Sequence, residues 1–153
     1  MTTAEISRID QIIDKYEGEK GVLIQLLLDI QQELNWIPKE AAERISQRLN
    51  IPLSQIYRVA SFYTAMSLAP RGKHLVSVCM GTACHIRGSP RLLDRVTDIL
   101  KIKPGETTPD RRFTLHTVNC LGCCALGPVV VVDGQYYGKV VPAKAEEILK
   151  GYD

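Results

Sequence analysis

The sequence predicts an α/β fold: a mixed four-stranded sheet with flanking helices, preceded by an N-terminal helical bundle. Three observations predict it. Up to about Leu68, apolar residues recur at three- and four-residue steps, the period of a helix face. After the turn formers Ala69-Pro70-Arg71-Gly72-Lys73, the pattern changes to strand, helix, strand, hairpin and helix. All five cysteines lie in two short segments, each directly after a predicted strand.

In the N-terminal part a weaker helix is expected over about 4–16. Within 22–34, Leu23, Leu26, Leu27, Ile30 and Leu34 form one apolar face. Asn35-Trp36-Ile37-Pro38 breaks that helix, and Pro38 suits the first turn of the next. Ala41, Ala42, Ile45 and Leu49 repeat the pattern until Asn50-Ile51-Pro52 stops it. Ser54 is the expected N-cap of the following helix, whose apolar face carries Ile56, Val59, Ala60 and Tyr63. This stretch holds no cysteine, no histidine and no catalytic constellation. The change of character at 69–73 divides the chain into a helical domain, residues 1–70, and a second domain, residues 71–153.

The second domain opens with a strand candidate, His74-Leu75-Val76-Ser77-Val78. Gly88-Ser89-Pro90 reads as a helix start, with Ser89 as N-cap and Pro90 at the first helical position. Leu92, Leu93, Val96, Ile99 and Leu100 then form a helical face ending near Lys101. A polar loop from Pro104 to Arg112 leads to a second strand, Phe113–Val118, which runs into Cys120. Val129–Val132 and Tyr136–Val141 flank Asp133-Gly134, a hairpin signal, and Pro142 opens a final helix bearing Ala145, Ile148 and Leu149. Tyr136, Tyr137 and Trp36 are expected to be core and packing groups. Two strands joined by a helical crossover should be parallel, and the hairpin adds antiparallel strands. That is the arrangement of a thioredoxin-like domain. Both cysteine segments then lie beyond the C-terminal ends of neighbouring strands, where residues far apart in sequence converge.

Composition excludes several classes. The 153 residues are 45% hydrophobic, enough for a proper core, and the net charge is +2 with no long basic run. Binding to nucleic acid or to an anionic membrane is therefore not expected. No apolar stretch approaches the ~20 residues that span a bilayer, so direct membrane insertion is not expected. Met1-Thr2-Thr3-Ala4-Glu5-Ile6 resembles neither a signal nor a transit peptide, and the chain reads as cytoplasmic, which includes the cytoplasmic face of a membrane complex. There disulfides are disfavoured and clustered cysteines point to metal binding or catalysis. With no G-x-G-x-x-G after a strand and no P-loop, neither nicotinamide nor flavin is expected to bind this chain itself.

Four residues separate Cys79 from Cys84, three separate Cys120 from Cys124, and 35 separate the two groups. Four readings compete. A [2Fe–2S] cluster takes four thiolates, with Cys79 and Cys84 on one iron and Cys120 and Cys124 on the other. Gly81, Gly88, Gly122 and Gly127 would let backbone approach such a cluster closely. Four cysteines also suit structural zinc in a zinc-stapled interaction module. Cys120-Leu121-Gly122-Cys123 is formally a C-x-x-C, so a stand-alone dithiol redox protein using Cys120 and Cys123 is the third reading. Simple buried or disulfide-linked cysteines are the fourth.

At Cys79-Met80-Gly81-Thr82-Ala83-Cys84-His85 and Cys120-Leu121-Gly122-Cys123-Cys124, the sequence resembles the thioredoxin-like [2Fe–2S] ferredoxins. It is similar above all to the small peripheral iron–sulfur subunits of NADH:quinone oxidoreductase (complex I) and of NAD-linked hydrogenases and formate dehydrogenases. Leu34-Asn35-Trp36-Ile37-Pro38 and Val59-Ala60-Ser61-Phe62-Tyr63 resemble that family's helical region, so the likeness runs over about residues 20–150. The resemblance implies a [2Fe–2S] cluster held by Cys79, Cys84, Cys120 and Cys124. Cys123 is a departure, because family members often have a small residue such as alanine there. C-x-x-C geometry would favour Cys123 as the ligand and the family pattern favours Cys124. Adjacent cysteines in extended backbone point opposite ways, so only one should reach the cluster. His85 invites a Rieske reading, but four cysteines already fill the site, and Arg87 beside it is expected to be solvated.

The resemblance further implies an electron-transfer subunit rather than an enzyme acting alone. Its partner would be a flavoprotein subunit carrying FMN and the NADH site, alongside other subunits of a multi-subunit oxidoreductase. The N-terminal helices would contribute to that docking.

Overall fold

The two helix stops read at Asn35 and Asn50 are made by those asparagines themselves, which turn left-handed at φ 66° and 52° and end α2 (Leu23–Leu34) and α3 (Lys39–Leu49). The computed structural model describes residues 3–19 and 21–152. It divides into two compact units, Met1–Pro70 and Arg71–Asp153.

The first unit contains α1 (Thr3–Asp14), α2, α3 and α4 (Leu53–Phe62). Their apolar faces meet in one core in which Ile9, Ile13, Leu26, Leu27, Ile30, Ile45 and Ile56 are fully buried. Ion pairs from Arg44 to Asp10 and from Arg48 to Asp14 and Glu17 tie α3 to α1 and the turn beyond it. Two expectations need correction. Ser54 does not cap α4. The helix begins two residues earlier, at Leu53, and the Pro52 carbonyl accepts the N–H groups of Gln55 and Ile56, so proline's fixed φ sets the first turn. Tyr63 does not extend the apolar face, because α4 ends at Phe62 and Tyr63 turns extended and exposed.

In the second unit the strands lie in the order β2-β1-β3-β4, with β1 (His74–Cys79), β2 (Phe113–Val118), β3 (Val130–Val132) and β4 (Gln135–Tyr137). β1 and β2 are parallel and in register from His74↔Phe113 to Cys79↔Val118, and β3 runs antiparallel to both β1 and β4. The mixed four-stranded sheet is thus as the pattern predicts. Asp133 and Gly134 both take positive φ, 49° and 84°, as a two-residue hairpin turn of the primed kind requires. Val76, Val78, Phe113, Leu115, Val130 and Val132 form one face of the sheet and pack with Leu92 and Val96 of α6 (Ser89–Leu100) and Ala145 and Leu149 of α7 (Ala145–Lys150). The opposite face carries a smaller cluster of Cys79, Cys84, Val129 and Val131.

Several boundaries differ from the sequence reading. Gly88, left-handed at φ 104°, is the N-cap of α6. Ser89 is the first helical residue, fully buried, with no hydrogen bond to its hydroxyl among the described residues. β4 is three residues long and does not reach Val141, because the chain leaves the sheet at Gly138 and the Lys139 N–H bonds the turn that begins at Cys124. Tyr136 is 51% exposed instead of packed. Tyr137 is half-buried and shares a hydrogen bond of 2.9 Å with the Tyr152 hydroxyl. A five-residue helix, α5 (Thr82–Ile86), was not expected, since it is too short for periodicity to register. Among the described residues no helix is long and apolar enough to cross a membrane.

Candidate metal centre

Parallel pairing of β1 and β2 delivers both cysteine segments to the same end of the sheet. Cys79 is the last residue of β1, held there by its N–H bond of 3.0 Å to the Val129 carbonyl. The chain turns through Gly81 into α5, which carries Cys84, and both thiols are buried. Cys120 follows β2 by two residues and Cys124 opens a single 3-10 turn, Cys124–Leu126; both are exposed.

The two loops touch through residues that have no side chain. A Cβ on Gly81 would lie 2.5 Å from the Asn119 carbonyl oxygen and 3.3 Å from the Cys120 Cα. One on Gly127 would lie 3.0 Å from the Cys84 Sγ and 3.4 Å from the Cys124 oxygen. Gly81 and Gly127 therefore permit a close approach of the two loops to each other. Gly88 and Gly122 serve differently: each stands at positive φ, 104° and 78°, with open space where a Cβ would be. The Gly122 N–H donates to the Cys120 Sγ at 3.4 Å, the kind of bond that stabilises a thiolate.

The four thiols fall into two groups, Cys79 and Cys84 on the buried side and Cys120 and Cys124 on the exposed side. Burial pushes the Cys84 thiol above its ordinary pKa, helped by its bond to Cys79. The Cys124 thiol is raised chiefly by its bond to Cys120 and by that neighbour's charge, with Cys79 and Cys123 adding to the effect. A group of thiols that raise one another's pKa resists ionisation in the absence of a cation, whereas a coordinated metal deprotonates its thiol ligands outright. Among the described residues no three His, Cys, Asp or Glu side chains are grouped to hold a single ion. A two-by-two arrangement is nonetheless what a two-iron cluster draws on, with two thiolates for each iron. Four thiols brought to one end of the sheet, two from each loop, therefore fit a [2Fe–2S] group as a donor set.

Cys123 is half-buried and packs inward against Cys79, Cys84, Val129 and Val131. Its backbone is not extended (φ −97°, ψ 49°), so it parts from Cys124 because the chain enters the 3-10 turn between them. Of the histidines, His85 is exposed on α5, His74 bonds Asp133 through Nδ1 at 2.6 Å, and His116 sits half-buried within β2. Burial lowers the His116 pKa, and the charge of Arg71 lowers it further.

Three contacts at the site were not read from the sequence. Arg87, expected to be solvated, donates from Nη1 to the Cys124 carbonyl at 2.5 Å. Lys139, left-handed at φ 52°, donates its backbone N–H to the Leu126 carbonyl at 2.6 Å, and Gly138 lies against the Leu126 side chain. These bonds join residues far apart in sequence, and the only local signal was the conjunction Gly138-Lys139 after a β-rich run.

A family model for the thioredoxin-like [2Fe-2S] ferredoxins matches residues 9–153. The chain is 38% identical over 142 residues to the NADP-reducing hydrogenase subunit HndA of Solidesulfovibrio fructosivorans, covering 93% of this chain and 83% of that one. It is 38% identical over 148 residues to an NADH-quinone oxidoreductase subunit of Rickettsia bellii, covering 94% and 88%. The fold is also that of part of a solved NAD+-reducing [NiFe]-hydrogenase in its air-oxidized state, with a TM-score of 0.73 at 20% identity over 86% of this chain. This chain spans only 22% of that hydrogenase chain, and the likeness is one of fold.

Proposed function

Because the chain belongs to the thioredoxin-like [2Fe–2S] ferredoxin family, whose cofactor is a [2Fe–2S] cluster, we propose that it is the electron-transfer subunit of a multi-subunit, NAD(P)H-linked oxidoreductase. In this reading Cys79, Cys84, Cys120 and Cys124 ligate one cluster. The subunit exchanges single electrons with a flavoprotein subunit that carries FMN and the NADH site. The observation that carries it is the meeting of two cysteine-bearing loops across Gly81 at one end of parallel strands.

A bound [2Fe–2S] cluster supplies one-electron oxidation and reduction and neither makes nor breaks a substrate bond. The work of the chain's own residues is to hold four sulfurs in place and to set their surroundings. Cys79 and Cys84 hold the inner side against Val129 and Val131, where water is excluded. Cys120 and Cys124 form the outer side, open to an approaching partner. The Gly122 N–H on the Cys120 sulfur stabilises its charge. In this reading Cys123, which packs against the cluster of Cys79, Cys84, Val129 and Val131, is not a ligand.

The names of the relatives, subunits of a hydrogenase and of NADH-quinone oxidoreductase, support assembly into a larger complex. Residues 71–153 form the cluster-binding domain in this account, residues 1–70 form a helical domain that helps dock the flavoprotein, and the complex operates in the cytoplasm. The test is anaerobic reduction by NADH followed through the cluster's visible absorption. NADH should bleach the oxidised protein rapidly only when the flavoprotein subunit is added. Bleaching by NADH alone, or a colourless protein containing stoichiometric zinc, contradicts the proposal.

A further inference from the structure

We propose that Arg87 is a positioning residue for the cluster: its guanidinium fastens the turn carrying Cys124 to the helix carrying Cys84. The inference rests on the reading that these cysteines hold the cluster, and it assigns a role to a residue that is not itself a ligand.

Cys84 and Arg87 are three residues apart, on one face of a helical turn. The Arg87 backbone N–H closes α5 on the Ala83 carbonyl at 3.3 Å, so the start of its side chain is fixed relative to Cys84. From there the stem passes over Gly127, where a Cβ would meet the Arg87 Cδ at 3.5 Å and the Cys84 Sγ at 3.0 Å. Its Nη1 ends on the Cys124 carbonyl at 2.5 Å. One side chain thus spans from the second cysteine of the first loop to the last cysteine of the other, with donor and acceptor residues 37 apart in sequence.

An exposed arginine hydrogen bond is ordinarily weak, because water competes and the side chain gives up rotamer freedom. Two features set this one apart. The donor is charged, which strengthens a bond to a carbonyl. The glycine at 127 also leaves a channel for the stem, so the side chain is guided by packing as well as by the bond. The Cys124 carbonyl that it engages also accepts the Gly127 N–H at 3.2 Å, the bond that closes the 3-10 turn. Loss of the guanidinium would release the turn where Cys124 leaves the rest of the domain, while the sheet and its core remain untouched. Residues that support metal ligands in this way typically change metal retention by about 10–100-fold when removed.

The experiment uses the full chain reconstituted anaerobically with iron and sulfide. It compares the wild type with Arg87→Ala, Arg87→Met and Arg87→Lys. Loss of visible absorption in excess iron chelator gives the release rate, redox titration gives the midpoint potential, and far-UV dichroism gives the melting of the metal-free chain. Arg87→Ala should release iron about tenfold faster or more, as expected for a ligand-supporting residue. Arg87→Met, which keeps an apolar stem over Gly127 without a donor, should behave like Arg87→Ala. Arg87→Lys should recover most of the retention, and the potential should move in the alanine and methionine variants while the metal-free chains melt together. Equal release rates in all four proteins, wild-type retention by Arg87→Met, or faster release matched by earlier melting of the metal-free chain would each overturn the assignment. A wild type that takes up no cluster would overturn the reading beneath it, and would be seen before any variant is compared.

Discussion

Gly81 and Asn119 meet so closely that a Cβ on the glycine would stand 2.5 Å from the asparagine carbonyl oxygen. Gly81 stands at the start of the excursion after β1 and Asn119 at the start of the one after β2, so this contact measures how near the two cysteine loops are allowed to come. The opposing atom is backbone, which has no rotamer to yield. The glycine is therefore required by the approach of two loops and not by its own backbone angles (φ −57°, ψ 153°), which any residue adopts.

Gly81→Ala should accordingly force the loops apart. Overpacking of this kind costs about 1–3 kcal/mol, and chemical denaturation of the metal-free chain should show a loss in that range. Reconstitution with iron and sulfide should fail or give a small fraction of the wild-type yield. A fully stable variant that loads normally would show that the loops do not need this contact.

Gly127→Ala should act on the site more than on the fold. Its Cβ would meet the Cys84 Sγ at 3.0 Å and the Cys124 oxygen at 3.4 Å, contacts that a small adjustment relieves. Stability should fall by less than in Gly81→Ala, while the visible and paramagnetic spectra of the reconstituted protein shift because a ligand sulfur has moved. Unchanged spectra would place the Cys84 sulfur outside the metal's coordination.

Far from the cysteines, the Tyr137 and Tyr152 hydroxyls share a bond that, with burial and the charges of Tyr137 and Asp133, pushes the Tyr152 pKa up to about 12. A raised folded-state pKa means that the unfolded chain gives up the proton first. The associated stability is then complete below pH 10, the ordinary tyrosine value, and is lost as pH rises through about 12. Tyr137→Phe should bring the Tyr152 transition back toward 10, which ultraviolet titration of tyrosinate can follow. A Tyr152 transition that stays near 12 in the variant would mean that burial and Asp133, not the shared bond, set it.

The fold was legible wherever a local period or a turn residue decides it. Asn35, Asn50 and Asp133-Gly134 each perform the stop or reversal that their backbone preferences announce. Phe113–Val118 is a strand to the residue, as its run of aromatic, β-branched and apolar residues after a polar loop predicts. The misses have a common cause. Ser54 and Ser89 have cap chemistry, but Pro52 and Gly88 beside them fix the first turns. β4 ends early because the Lys139 N–H binds the cysteine turn, with Gly138 packed against Leu126, a tertiary bond that no local pattern carries. The same limit applies to the site. Spacing identified two groups of thiols and the resemblance named what they hold. That Arg87 spans both groups, and that Cys123 packs inward just before a 3-10 turn instead of in an extended strand, depends on contacts between distant segments.

The most direct test of the central claim is iron and acid-labile sulfide per chain, measured on anaerobically reconstituted wild type and on the five single Cys→Ser variants. The account predicts two irons and two sulfides for the wild type and for Cys123→Ser, as a [2Fe–2S] centre with four other ligands requires. Cys79→Ser, Cys84→Ser, Cys120→Ser and Cys124→Ser should each retain little or none. Loss of iron from Cys123→Ser with full retention by Cys124→Ser, or a wild type that binds one zinc and no sulfide, would contradict it.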